Sequence, residues 1–176
     1  MLKFVFDAGP LITACKFYVE GQLVIDHLLA HCQVVIPVAV YDEVVIAGSR
    51  FLDAQEAKRR VDTGNIEVAT PVSNAGLTPI LTLYGFGDGE QEAISLVLED
   101  DFQSTILVVD DHLAYLVSDR LGAPKLFLLD LVVQMVREKQ LTTSVGCSIV
   151  EAIRQRYPES FVEHTLLILE QLEGPE

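Results

Sequence analysis

Residues 105–122, TILVVDDHLAYLVSDRLG, decide the fold. Ile106 to Val109 are apolar at every position, two aspartates stop the run, and apolar residues at helical spacing follow. A strand without polar alternation is buried on both faces. A parallel sheet covered by helices supplies that burial, and a half-solvated sheet does not. The stretch therefore reads as a strand, a turn and a helix, the repeating unit of an α/β fold.

The same unit recurs outward in both directions. LKFVF (2–6) ends at Asp7 and leads through Gly9 and Pro10 into a helix over 11–19, with proline in the first turn where its missing N–H costs nothing. QLVIDHLLAHC (22–32) reads as an amphipathic helix. QVVIP (33–37) is a second strand, followed by a helix over 38–48 that Gly48 stops. A polar helix at 51–64 precedes a strand at 65–69. Residues 70–87, with Pro71 and Pro79, read as a loop. Helix 90–99 follows, and beyond the opening stretch come a strand over 125–129 and a helix over 131–139. Helices at 148–157 and 160–172 close the chain. The expected architecture is α/β, a mostly parallel central sheet covered on both faces. Residues 1–140 form the domain, and residues 141–176 are C-terminal helices packed on it.

At 176 residues, half of them hydrophobic, the chain can bury a substantial core. No apolar run approaches the roughly 20 residues of a membrane span, and the N-terminal apolar segment is too short for a signal peptide. A cytoplasmic location without membrane contact is expected. Cys15, Cys32 and Cys147 are odd in number and scattered, as buried thiols in a reducing compartment would be. His27, His31 and Cys32 lack a second ligand pair that would close a zinc site. The 26 acids outnumber the 12 bases, for a net charge of −14. That disfavours a broad duplex-binding surface and suits a basic partner protein.

The glycines of YGFGDGEQEAISLVLE (84–99) do not make a nucleotide loop. The third glycine of a dinucleotide fingerprint is replaced by Glu90, and a phosphate loop's Gly-Lys-Ser/Thr is absent. The stretch reads instead as a helix start, with Asp88 and Gln91 in a capping-box relation. Glu90 then lies in the first turn. In open α/β sheets, sites form beyond the carboxyl ends of strands, and Asp7 and the pair Asp110–Asp111 stand there. Glu43, beside Asp42, interrupts an apolar helix. Each acid alone reads as a cap or a solvated charge. Together they make a hard-cation site plausible, because Mg²⁺ and Mn²⁺ prefer oxygen ligands. Arg50, Lys58, Arg59 and Arg60 are candidate phosphate contacts, with a solvated face paired to Asp53 and Glu56 as the alternative.

FDAGPLI, VVIPVAVYDEVV, GDGEQEAISLVLE and ILVVDDHLAYLVS, in that order, resemble the PIN-domain family from the first strand to about Val133. The resemblance implies a three-layer α/β/α sandwich and a small metal-dependent ribonuclease, often the toxin of a toxin–antitoxin pair. The family's acids fall on Asp7, on Glu43, on Glu90 and on the Asp110–Asp111 pair, with Asp111 favoured by the pattern that follows it. By this resemblance they hold one or two Mg²⁺ or Mn²⁺ ions for phosphodiester hydrolysis. The partners expected are an RNA substrate, a basic antitoxin protein and a second copy in a homodimer. Gly9, Val109 and KLFLLD depart from the family's pattern near the acids. A binding module with little or no nuclease activity, gripping a basic partner in an acidic groove, is the alternative reading.

Overall fold

The computed structural model describes residues 2–72, 76–99 and 104–172. Five strands form one sheet: β1 (Lys3–Phe6), β4 (Gln33–Pro37), β5 (Ile66–Ala69), β6 (Thr105–Val108) and β7 (Lys125–Leu126). Their order is β5-β4-β1-β6-β7, and every pairing is parallel. Val5 sits in register with Val35 on one side and Leu107 on the other.

The strands' apolar residues divide by parity, which builds the three layers. Phe4, Phe6, Val34, Ile36 and Val108 face a core shared with α1 (Ala8–Lys16), α2 (Val24–Leu29), α8 (Leu128–Arg137), α9 (Thr143–Ile153) and α10 (Glu159–Leu172). Val5, Val35, Leu107 and Val109 face α5 (Leu77–Leu83), α6 (Asp88–Val97) and α7 (His112–Arg120). Side chains on a strand alternate between faces, so a continuous apolar run supplies both cores at once. Ile149, Val150, Ile153, Val162 and Leu169 put the two C-terminal helices into the same core as β1. No helix among the described residues is long and apolar enough to cross a membrane.

The structure corrects several local expectations. Residues 22–32 are not one helix: β2 (Tyr18–Val19) and β3 (Gln22–Leu23) form a hairpin turning at Glu20 and Gly21, both with positive φ, and α2 starts at Val24. The expected loop over 70–87 contains α5; Pro79 lies in its first turn, where no hydrogen bond is lost. Residues 73–75 of that stretch lie outside the described residues. The strand at 125–129 is two residues long, because Phe127 caps α8 and Leu128 opens it. α6 starts at Asp88 with Gly87 as its cap. Asp88 is thus its first residue rather than half of a capping box, and the Gln91 side chain bonds the Phe86 carbonyl instead. His27 bonds the Val19 carbonyl and Cys32 the Leu28 carbonyl, which commits both to local structure.

The chain runs from β1 outward to β4 and β5, then crosses back to β6 and β7 on the other side. The connections therefore diverge between β1 and β6, the switch point beyond whose carboxyl ends open α/β sheets form their sites. Asp7 and Asp110 are the residues placed there.

Candidate active site

Asp7 follows β1 directly. Its amide donates to the Val108 carbonyl (3.0 Å) and its carbonyl accepts from Leu11 (3.2 Å), so the backbone joins sheet to α1. Its side chain makes no capping bond to α1 and is 6% exposed. Burial raises its pKa from 3.8 to about 7. The Ala8 amide opposes this, while Glu90, Glu43 and Asp110 repel the charge and add to it. A buried carboxyl that caps nothing and is repelled by three others is held at a cost to the fold.

Glu43 comes from the helix after β4. The α-helical turn Val38–Tyr41 (α3) continues as a π-helix over Asp42–Ala47. Such wide turns change which residues share a face and often occur at functional sites. Gly48 ends the π-helix, and a Cβ there would lie 2.2 Å from the Val44 carbonyl oxygen, so only glycine fits. Glu43 is exposed as a residue, but partial burial of its carboxyl, then repulsion from Glu90, pushes its pKa up.

Glu90 comes from the first turn of α6, which approaches through Gly89. A Cβ on Gly89 would lie 3.2 Å from Val40 Cγ2, 3.3 Å from Glu43 Oε2 and 3.9 Å from Asp7 Oδ1. The missing side chain lets the helix start close over two of the acids. Glu90 itself folds back over Gly87, whose Cβ would lie 2.9 Å from Glu90 Oε2. Its neighbour Glu92 accepts from the Ala39 amide (2.8 Å) and so ties α6 to the start of α3.

The two aspartates after β6 separate into different tasks. Asp111 Oδ1 accepts from the Ala114 amide (2.8 Å): its exposed side chain caps α7. Asp110 turns toward the interior, where the Tyr157 hydroxyl donates to Oδ2 (2.6 Å) and the Leu128 amide to Oδ1 (3.2 Å). Burial raises its pKa, while Tyr157, the Leu128 amide and Arg156 all favour the carboxylate. Of the pair, Asp110 acts on Asp7; Asp111 is occupied as a cap.

Arg60 does not serve as a surface phosphate contact. It is 4% exposed, pairs with Asp26 (2.7 Å) and Glu56, and so pins α4 (Leu52–Asp62) to α2. Lys58 pairs with Asp62 (2.5 Å) and Arg59 approaches Glu56 (3.8 Å), while Arg50 lies over the Phe51 ring. Asp53 is not among these partners. Sequence reading missed Gly89, Tyr157 and Arg156. Gly89 had a signal, a small residue beside a helix-start acid; the other two had none, because their contacts are remote in sequence.

Asp7, Glu43, Glu90 and Asp110 are an all-oxygen donor set, the chemistry that suits a hard divalent cation. Gly89 places the backbone of α6 close against Val40, Glu43 and Asp7, where a side chain would crowd Val40 and Glu43. As the side chains stand, no three acids, histidines or cysteines among the described residues are close enough to hold an ion. Glu43 is exposed and Glu90 half-buried, whereas Asp7 is buried.

The family model described as DUF3368, PIN domain, matches residues 3–167. The chain belongs to the PIN-domain family. No curated protein and no solved structure matches it significantly.

Proposed function

We propose that this PIN-domain chain is a metal-dependent endoribonuclease, the toxin of a toxin–antitoxin pair. The observation that carries the reading is Asp7. It is a buried carboxyl at the topological switch point, free of capping duty and repelled by Glu90, Glu43 and Asp110. That arrangement costs stability unless positive charge is brought to it.

Asp7, Glu43, Glu90 and Asp110 would hold one or two Mg²⁺ or Mn²⁺ ions. Such an ion, when bound, lowers the pKa of its water and polarises the phosphoryl group. The chain's own part is positioning. Asp7, whose pKa burial raises to about 7, would serve as a ligand in its carboxylate form. The Tyr157 hydroxyl and the Leu128 amide both donate to Asp110 and fix the orientation of its carboxyl, opposing the rise in pKa that burial brings. Asp111 keeps the start of α7 in place behind it. Gly89 lets α6 deliver Glu90.

The net charge of −14 supports a basic protein as the antitoxin. Exposed Phe161 and Leu167 on α10 support a homodimer. The separation of the acids as they stand supports a second reading, a PIN fold that binds a basic partner with little or no hydrolysis. Cleavage of single-stranded RNA in Mn²⁺ or Mg²⁺, beside a chelator control and an Asp7→Asn variant, decides between them. Cleavage lost in both controls establishes the nuclease. Intact RNA throughout, with capture of a basic partner, establishes the binding module.

A further inference from the structure

We propose that Arg156 is the substrate-binding residue of this site and contacts the RNA phosphate next to the acids. The inference rests on the nuclease reading above. Arg156 ends the short 3₁₀ turn Arg154–Arg156 that joins α9 to α10. The two arginines of that turn have opposite fates. Arg154 is consumed by Glu151 (2.9 Å), Glu159 (2.8 Å) and Glu163 (2.7 Å). Arg156 makes no ion pair among the described residues, in a chain with more than twice as many acids as bases.

Its side chain is nevertheless fixed. Nε donates to Thr13 Oγ1 (3.2 Å), and the hydroxyl of Thr13, a residue 1% exposed, donates to the Gly9 carbonyl (2.9 Å). Gly9 lies in the first turn after Asp7, and a Cβ there would stand 4.0 Å from Asp110 Cβ. The adjoining Tyr157 bonds Asp110. One short turn therefore brings a clamp and a cation to the same acid, and Arg156 acts electrostatically on Asp110 and on Tyr157. Among the described residues its terminal nitrogens make no hydrogen bond. A guanidinium held by one nitrogen, with its other donors uncommitted, is suited to a phosphate, which it can take in a bidentate fork. Beside carboxylates that repel a polyanion, a cation of this kind is what lets RNA approach.

The test is equilibrium binding of a short labelled single-stranded RNA, in Ca²⁺, over a salt series. The proteins are wild type, Arg156→Gln and Arg156→Lys. Gln keeps a donor near Thr13 without the charge, and thermal melts check that each variant folds. Loss of one charged contact weakens binding about tenfold. It also makes the fall of log K with log salt shallower by about 0.7. The expected result is both changes in Arg156→Gln and recovery of the slope in Arg156→Lys. An unchanged affinity and slope in Arg156→Gln, with wild-type binding intact, overturns this inference alone. Absence of RNA binding by the wild-type chain overturns the nuclease reading and this inference with it.

Discussion

Replacing Asp7 by asparagine tests the electrostatics of the site through stability alone. In the unfolded chain Asp7 titrates near 3.8, and in the fold at about 7. Between those values the native state binds the extra proton, so stability falls as pH rises. The penalty is absent below about pH 4 and complete above about pH 7, where the difference in pKa corresponds to about 4 kcal/mol. Asparagine carries no such charge. Urea unfolding in chelator should therefore show wild type and Asp7→Asn alike near pH 4. Near pH 8 the variant should be more stable, by about 4 kcal/mol. Groups that do not interact with Asp7 titrate alike in both proteins and cancel in the comparison; Glu43, Glu90 and Asp110, which repel it, add a smaller term of the same sign. A difference that does not change with pH, or a variant less stable near pH 8, would refute the claim that Asp7 is held against its charge.

Other consequences concern the residues around it. Tyr157→Phe removes the hydroxyl from a buried carboxylate and should cost about 2 kcal/mol by urea unfolding. RNA cleavage should fall as well, because Asp110 loses its orientation. Asp111→Ala should cost about 1 kcal/mol through the lost cap of α7, with cleavage largely kept, whereas Asp110→Asn should abolish cleavage. Arg60→Ala leaves Asp26 unpaired and Glu56 with only Arg59, 3.8 Å away, and should destabilise by about 2 kcal/mol, while Lys58→Ala, at an exposed pair, should change little in the same melts.

How far the sequence revealed this molecule depends on the range of the interactions. The five strands were legible, because apolar runs such as QVVI and ILVV are dictated by burial on both faces. Their order was not, since it depends on which strands meet in space. The hairpin at Tyr18–Leu23 was hidden inside a helix-like period, and Pro79 disguised the start of α5 as a loop. At the site, Asp7 at a strand end, Glu43 within an apolar helix and Glu90 at a helix start stood out as candidates, and the family resemblance joined them into one set. Two adjacent acids after β6 could not be told apart, because capping by Asp111 and burial of Asp110 are decided by atoms rather than by spacing. The basic run at 58–60 looked like one patch, yet Arg60 points inward and its neighbours outward. Tyr157 reaches Asp110 across 47 residues of chain, a contact no local pattern announces.

The most direct measurement is calorimetric titration of the chelator-treated protein with Mn²⁺ near neutral pH, in wild type and in Asp7→Asn, Asp110→Asn and Asp111→Asn. The account predicts that wild type and Asp111→Asn bind the ion, and that Asp7→Asn and Asp110→Asn do not. Equal binding by all four proteins, or none by wild type, would contradict a divalent-cation site centred on Asp7.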